Sequence, residues 1–488
     1  MKTEMKPLRT FAATVKSFKS HARQEPCRIT NLLFILSLFL SLSILFLFKS
    51  HYCSSPFGKS QTLMNVQVPV KVVNENDDPP LIEDEDEDQE DKNRALINTK
   101  TQKAKPICYE TSSRSDTCEV EGDVRVQAST NTIFFHPCTS KPQQWRIKPY
   151  TRKGDSSALK HVKEWTLKSV MNVEELPQCT KTLTVPAMLF SSQGFTGNFF
   201  HDFTDVLIPL FINSYQFHGE VQFLVSDFLS WWVNKFSLIL KQLSKYDIVN
   251  LEGEEKDVLC YPRLIAGPSF HKELGIDSMK SPNGYSILDF KKLLRQAFGL
   301  KRDTVVITKK PKLLIISRKK SREFLNEKEI AQLAMSLGFD VIIGEGRWDI
   351  TVSKFANLVN SADVMLGVHG AGLTNMVFLP KDAVVIQVIP FGGLEKVARR
   401  SFESPTMDMK IKYLDYVIQV NESSLIDQYP KDDPVLKDPM SVHKQGWIAL
   451  SSLYLGKQNI RIDLQRFRNT LLEAFKLVSN NSSMIHTQ

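Results

Sequence analysis

Several signatures that would assign a chain of this size to a common class are missing. None of the seven cysteines forms a Cys-x-x-Cys pair, so a structural zinc site has no ligand frame. The glycines of the main Gly-rich turn run G-x-x-G-x-G rather than G-x-G-x-x-G, and no Lys-Ser or Lys-Thr follows them. A dinucleotide-dependent redox enzyme and a P-loop NTPase are therefore poor readings. No internal repeat is visible, which excludes a solenoid. The formal charge of +8 is spread along the chain, much of it in the N-terminal tail, and does not mark a nucleic-acid partner. No A-x-A-like cleavage site follows the one long apolar run, which argues against a removed signal peptide.

What is present is a globular composition, with 42% hydrophobic and 24% charged residues over 488 positions, enough for two or three domains. Leu32 to Phe48 is apolar apart from Ser37, Ser41 and Ser43. A helix over it reaches roughly 25 Å, near the short end for a membrane span. Lys2, Lys6, Arg9, Lys16, Lys19, Arg23 and Arg28 precede it against only Glu4 and Glu25. The positive-inside rule then predicts a cytosolic basic tail over 1–30, a transmembrane signal anchor over 31–49 and a lumenal body, in single-pass type II orientation. So short a span suits a thinner, early secretory membrane better than the plasma membrane. Glycosylation sequons at Asn421, Asn480 and Asn481 fit that placement, as do six cysteines beyond the anchor, whose pairing cannot be read. Residues 50–105 read as a disordered stalk. The acidic run Glu83 to Asp91 contains two D-x-D triplets, but a solvated segment offers no rigid frame for a metal.

Beyond the stalk, short apolar runs alternate with helical stretches. Thr132–Phe135 and Val221–Val225 read as strands and Leu229–Leu243 as an amphipathic helix. From Lys312 the alternation is regular. Leu313–Ile316, Asp340–Ile343, Asp363–Val368 and Ala383–Val388 read as strands, with helices over Asn326–Leu337 and Thr351–Ser361 between them. The pattern predicts an α/β protein with parallel sheets, an N-terminal lobe over 106–300, a C-terminal lobe over 301–400, and a final segment over 401–488 whose helix, Ile462–Val478, packs back on the body. A cleft at the carboxyl ends of the strands is the natural site.

Three clusters carry polar chemistry. In Leu366-Gly367-Val368-His369-Gly370-Ala371-Gly372-Leu373-Thr374-Asn375 a strand, a glycine turn and a helix start form an anion site, unless the glycines only permit packing. Glu395, after the next strand, can accept from sugar hydroxyls or simply face solvent. In Ile316-Ser317-Arg318-Lys319-Lys320-Ser321-Arg322-Glu323-Phe324-Leu325-Asn326 a guanidinium follows a strand end, where it can fork phosphate oxygens or lie in a solvated basic loop. Glu329 can cap or orient Asn326. In Asn198-Phe199-Phe200-His201-Asp202-Phe203-Thr204-Asp205 a histidine and two carboxylates stand at the entry to an apolar helix, as a site or as caps and a structural imidazole.

Together, in this order and behind this anchor, the clusters resemble glycosyltransferase family 61, most of all its plant members that decorate xylan in the Golgi. The resemblance covers roughly Ile107 to the C-terminus. It implies a GT-B architecture of two Rossmann-like lobes facing a cleft, a UDP-sugar donor, inversion at the anomeric carbon and no metal cofactor. Xylose transfer to xylan is the activity it implies first. Arabinofuranose transfer to xylan, or transfer to N-glycans or O-linked glycans, are the alternatives. Carried over, Arg318, Arg322, Asn326 and Glu395 lie on the donor side, and His369, Gly370, Gly372, Thr374 and Asn375 hold the diphosphate through backbone N–H groups. His201, Asp202 and Asp205 lie on the acceptor side, with His201 or Asp205 as the base. A non-catalytic glycan-binding Golgi protein is the rival class. It would need neither an intact donor turn nor Arg318.

Overall fold

The computed structural model describes residues 106–137, 142–253, 257–307, 309–346 and 350–483, which belong to one compact unit. The basic tail, the predicted anchor, the stalk and Cys53 and Cys138 lie outside the described residues. Among the described residues no helix is long and apolar enough to cross a membrane.

The N-terminal sheet has ten strands: β1 (Cys108–Ser112), β2 (Ser115–Gln127), β3 (Thr132–Phe135), β4 (Gln144–Ile147), β5 (Trp165–Ser169), β6 (Lys181–Thr182), β7 (Ala187–Ser191), β8 (Gln222–Ser226), β9 (Val249–Asn250) and β10 (Val258–Ala266). Their order is β4-β5-β3-β2-β10-β7-β8-β9, with β1 on β2 and β6 on β10. The expectation of a simple parallel sheet fails for this lobe. β7 is parallel to β8 and β10, and β8 to β9, but the long β2 runs antiparallel to β1, β3 and β10. The physical reason lies in β2 itself. Val120, Val124 and Val126 are buried while Glu121, Gly122 and Asp123 are exposed, the mark of a strand with one wet face. Two disulfides tie this lobe, Cys108–Cys118 across β1 and β2, and Cys179–Cys260 onto β10. Asp123 lies close to Cys179 and Cys260, but those sulfurs are bonded to each other and hold no metal.

The C-terminal sheet is all parallel, with β11 (Lys312–Ser317), β12 (Asp340–Glu345), β13 (Val364–Val368), β14 (Val384–Ile389) and β15 (Lys412–Val417) in the order β12-β11-β13-β14-β15. β13 and β14 are buried throughout and, Gln387 apart, apolar, as expected of strands covered by helices on both faces. The sheet continues past residue 400, because β15 is its fifth strand. The C-terminal helix Leu464–Ser483 packs on β14, β15 and the helix Glu327–Ser336. The predicted helix over Leu229–Leu243 is two, Ser230–Lys235 and Ser237–Leu243, broken at Phe236 (φ −106°, ψ 12°). Phe236 is fully buried there against Phe199, Phe203 and Trp232.

One apolar core runs under both sheets. Its centre is the wholly buried π-helical stretch Asp202–Leu207, which follows the short helix Phe199–His201 and leads into the helix Ile208–Ser214. Phe203 meets Phe290 and Phe378 edge-on, with centroids 6.2 and 5.9 Å apart. Phe378 ends the element that follows the glycine turn, so the first and third sequence clusters share a core.

Candidate active site

The strand order of the C-terminal sheet reverses at β11. From β11 the chain passes outward to β12, then returns over β11 to β13. Such a switch point leaves a crevice beyond the carboxyl ends of the two central strands, β11 and β13. Arg318 follows the last residue of β11, and His369-Gly370 follows the last residue of β13. Two of the three sequence clusters therefore meet at the crevice for topological reasons.

Arg318 and Arg322 lie over the glycine turn. An added Cβ on Gly370 would come 2.5 Å from Arg322 Nη1 and 3.5 Å from Arg318 Nη1, and one on Gly372 3.8 Å from Arg318 Nη1. Gly370 has φ +137°, a conformation side chains rarely adopt, so it serves both the turn and the approach of the arginines. Arg318 Nε donates to the Ser321 carbonyl (2.9 Å) and Arg322 Nη1 to the His369 carbonyl (2.8 Å). Arg322 Nε is buried without a partner. Neither guanidinium meets a carboxylate among the described residues. Burial and the neighbouring Arg318 push Arg322 down to about 10, and burial lowers Arg318. Two adjacent half-buried cations with no carboxylate partner among the described residues suit an anion, since a buried donor left unpaired, as Arg322 Nε is, is costly.

The helix expected after Gly370 is a 3-10 helix, Ala371–Phe378. Its first ladder bond runs from Leu373 N–H to the Gly370 carbonyl (2.9 Å), so the N–H groups of Ala371 and Gly372 precede the ladder, at the end of the element next to β13. The backbone role expected of His369, Thr374 and Asn375 is not available in that form. His369 N–H donates to Val388 O within the sheet (2.9 Å). Thr374 is fully buried with its hydroxyl unpartnered, and the Asn375 amide donates to the Gly372 carbonyl (2.9 Å), bracing the turn. The His369 ring reaches the site instead. It lies edge-on to Phe402 (5.6 Å), and burial together with Arg322 and Arg318 pushes its pKa down to about 3.

Asn326 does not line the crevice. Its amide donates to Ile462 O (2.8 Å) and accepts from Ile462 N–H (3.0 Å), pinning the C-terminal segment, and Glu329 takes no part. Glu395 opens the helix Glu395–Asp408 and lines a cavity of about 570 Å³ with Gly392, Gly393, Gln419 and Asn421. Gln458 joins this cavity to the arginines. Its side chain bonds both backbone polar groups of Phe391, and its carbonyl accepts from Arg322 N–H. The sequon residue Asn421 is exposed at the cavity wall, Asn480 is exposed on the last helix, and the side chain of Asn481 lies outside the described residues.

On the other side, Asn198 caps the turn that carries His201, accepting from Phe200 N–H (3.1 Å). Asp202 and Asp205 are both fully buried. Asp202 accepts from Gly197 N–H (2.8 Å), Trp232 Nε1 (2.9 Å) and Lys235 Nζ (3.0 Å), which makes it a structural anchor with no access to an acceptor. Asp205 accepts from Arg152 Nε (2.6 Å), His201 Nδ1 (2.8 Å) and Tyr150 OH (3.1 Å), and Arg114 stands 3.5 Å away. Burial alone would raise its carboxyl, but the His201 hydrogen bond and the Arg152 charge outweigh it and hold the group below the usual range. His201 is the member of this pair that reaches solvent, with its side chain 19% exposed between Phe195 and Phe200. With Nδ1–H held by Asp205, Nε2 is free to take a proton, as in any carboxylate-oriented histidine.

Phe200 links the halves. It touches His201 (5.5 Å) and Phe402 (5.7 Å), and Phe402 touches His369. The ring chain His201–Phe200–Phe402–His369 runs from the histidine of the N-terminal lobe to the one that Arg322 and Arg318 flank in the C-terminal lobe. Tyr150, Arg152 and Arg114 were not legible as site residues, since they reach Asp205 from distant strands and loops with no motif of their own. Gln387, partner of His369, had a signal: it is the only polar residue of β14.

Comparisons with known proteins give the family. Residues 197–386, from the His201 turn to β14, match the family described as Glycosyltransferase 61. An alpha-1,3-arabinosyltransferase of Oryza sativa subsp. japonica is 45% identical over 400 residues, 80% of this chain and 69% of that protein. A beta-1,2-xylosyltransferase of the same organism is 40% identical over 75% of this chain and 83% of its own length. A xylan glycosyltransferase of Arabidopsis thaliana is 34% identical over 75% and 78%. The chain belongs to glycosyltransferase family 61.

Proposed function

We propose that this chain is an inverting transferase that moves a pentose, xylose first, from a UDP-sugar to a xylan acceptor in the Golgi lumen, held there by the apolar segment 31–49. The observation that carries the donor side is the pair of half-buried guanidinium groups over Gly370 with no carboxylate partner among the described residues. In this reading the lobes form a GT-B pair with the crevice between them. The nucleoside occupies the cavity beside Glu395, whose carboxylate accepts from ribose hydroxyls. The diphosphate lies on Arg318, Arg322 and the Ala371 and Gly372 N–H groups.

Transfer is a single in-line displacement. The acceptor hydroxyl attacks the anomeric carbon from the face opposite the diphosphate, and the C–O bond to UDP breaks as the new glycosidic bond forms. His201 Nε2 takes the hydroxyl proton while Asp205 stabilises the imidazolium that results. Charge builds on the leaving diphosphate, where two fixed cations and two main-chain donors already point. They fill the place a divalent metal takes in other transferases. Asp205, too buried to meet the acceptor, orients His201.

Transfer of arabinofuranose is the second reading, favoured by the 45% identity to the rice arabinosyltransferase. A purified preparation of the full chain, offered UDP-xylose, UDP-arabinofuranose and UDP-N-acetylglucosamine with xylo-oligosaccharides, decides the matter. One UDP-pentose is expected to be consumed with inverted product stereochemistry. Retention, or consumption of neither pentose, would overturn the reading.

A further inference from the structure

Gln387 stands in the middle of β14 among Val384, Val385, Ile386, Val388 and Ile389, and it is fully buried. A primary amide in so apolar a setting is costly unless its groups are paired. Its Oε1 accepts the phenol proton of Tyr413 on β15 (2.8 Å). Its Nε2 lies 2.8 Å from His369 Nδ1 and 3.3 Å from the Ala398 carbonyl.

This arrangement has one consistent assignment of protons. An amide nitrogen only donates, so Nδ1 of His369 is the acceptor and the ring proton sits on Nε2. Turning the amide over would set its oxygen against the Ala398 carbonyl, two acceptors facing each other. Tyr413, donating to Oε1, holds the amide the right way round. Arg322 and Arg318 are the charged groups beside the ring, and Phe402 covers it. Around Tyr413 stand Asp415, Glu403 and Arg399. Nε2 takes no protein partner among the described residues, so its N–H is left for a ligand.

We infer that Tyr413 and Gln387 are positioning residues that lock His369 as a neutral Nε2–H donor aimed at the diphosphate of the donor beside Arg322. A fixed neutral donor binds an anion without needing a proton from solvent and without reorganising as charge develops. The aim at a diphosphate rests on the donor site proposed above, whereas the tautomer does not.

Two measurements separate these parts. In the full chain labelled with 15N-histidine, the His369 ring, identified by its loss in His369→Asn, is expected to report a neutral Nε2–H tautomer from pH 5.5 to 8. An Nδ1–H tautomer, or an imidazolium forming in that range, would overturn the relay whether or not UDP binds. Gln387→Glu sets a carboxylate against Nδ1 and should convert the ring to imidazolium at neutral pH, a spectroscopic change that mere loosening of β14 would not produce. Tyr413→Phe, the milder variant, should give a tautomer mixture and weaken UDP binding about threefold to tenfold, the scale of one neutral hydrogen bond. Thermal melts check that each variant is folded. Failure of the wild-type chain to bind UDP would refute the donor site and with it the aim at a diphosphate. Wild-type UDP affinity in folded Tyr413→Phe and Gln387→Glu variants would refute the positioning role alone.

Discussion

Replacing His201 by asparagine separates chemistry from folding more cleanly than any other single change in the acceptor half. The imidazole is held by one hydrogen bond, 2.8 Å to Asp205, and by ring contacts to Phe195 and Phe200. Without it, Asp205 keeps Arg152 and Tyr150, so no buried carboxylate is stranded. The stability loss should be that of one hydrogen bond to a charged group, about 1.5–3 kcal/mol. The same change at Asp205 would leave Arg152 without its anion, Arg114 keeping Glu273, and cost about 3–5 kcal/mol, too much for a clean kinetic test. If His201 is the base, kcat should fall by about 10²- to 10⁴-fold. UDP affinity should hold, because Phe200 and Phe402 stand between His201 and the arginine-flanked His369 and distant sites act nearly independently. Transfer to xylo-oligosaccharides at saturating donor, UDP titration calorimetry and a thermal melt on one preparation read all three. A kcat close to wild type in a folded variant would refute the assignment, and a lost UDP affinity would refute the separation of the two halves.

Other perturbations test the frame around the site. Gly370→Ala puts a methyl group 2.5 Å from Arg322 Nη1 at a positive φ. It should cost more than about 1 kcal/mol in stability and weaken UDP binding by at least about tenfold. Calorimetry and melts showing neither would mean that the turn does not hold the guanidinium. Lys291, fully buried, donates to the Leu379 carbonyl (2.8 Å) at the end of the 3-10 element, and burial pushes it down to about 7. Unfolded lysine keeps its proton up to about 10.4, so between pH 7 and 10 the unfolded chain binds more protons and stability should rise with pH. Lys291→Met should flatten that rise in denaturant melts. An unchanged slope would place its origin elsewhere.

The parallel half of the fold was legible because its strands are buried on both faces and read as unbroken aliphatic runs, as in Leu313–Ile316 and Val384–Ile386. The antiparallel half was not. β2 alternates buried valines with acidic residues, and β10 is interrupted by the more exposed Pro262 and Arg263, so neither gives a solid run. The helix break at Phe236 follows from tertiary packing of its ring, which no local propensity reports. Among the candidate site residues, Arg318, Gly370 and His201 stand out in the sequence because each sits at an element end inside a dense motif. Asn326 and Asp202 lie in the same motifs yet serve the scaffold. Spacing locates a site but does not tell which polar group faces the ligand. That depends on partners such as Ile462 and Trp232, far away in the chain.

Arg318 and Arg322, without a carboxylate partner among the described residues, are proposed to grip a nucleotide diphosphate over the glycine turn. Titration calorimetry of UDP into the full chain and into Arg318→Met/Arg322→Met, at two salt concentrations, tests it most directly. UDP is expected to bind the wild-type chain more weakly as salt rises, and its affinity to fall at least about 100-fold in the double variant, the scale of two charge-assisted hydrogen bonds. Equal UDP affinity in both proteins, or none in the wild type, would contradict it.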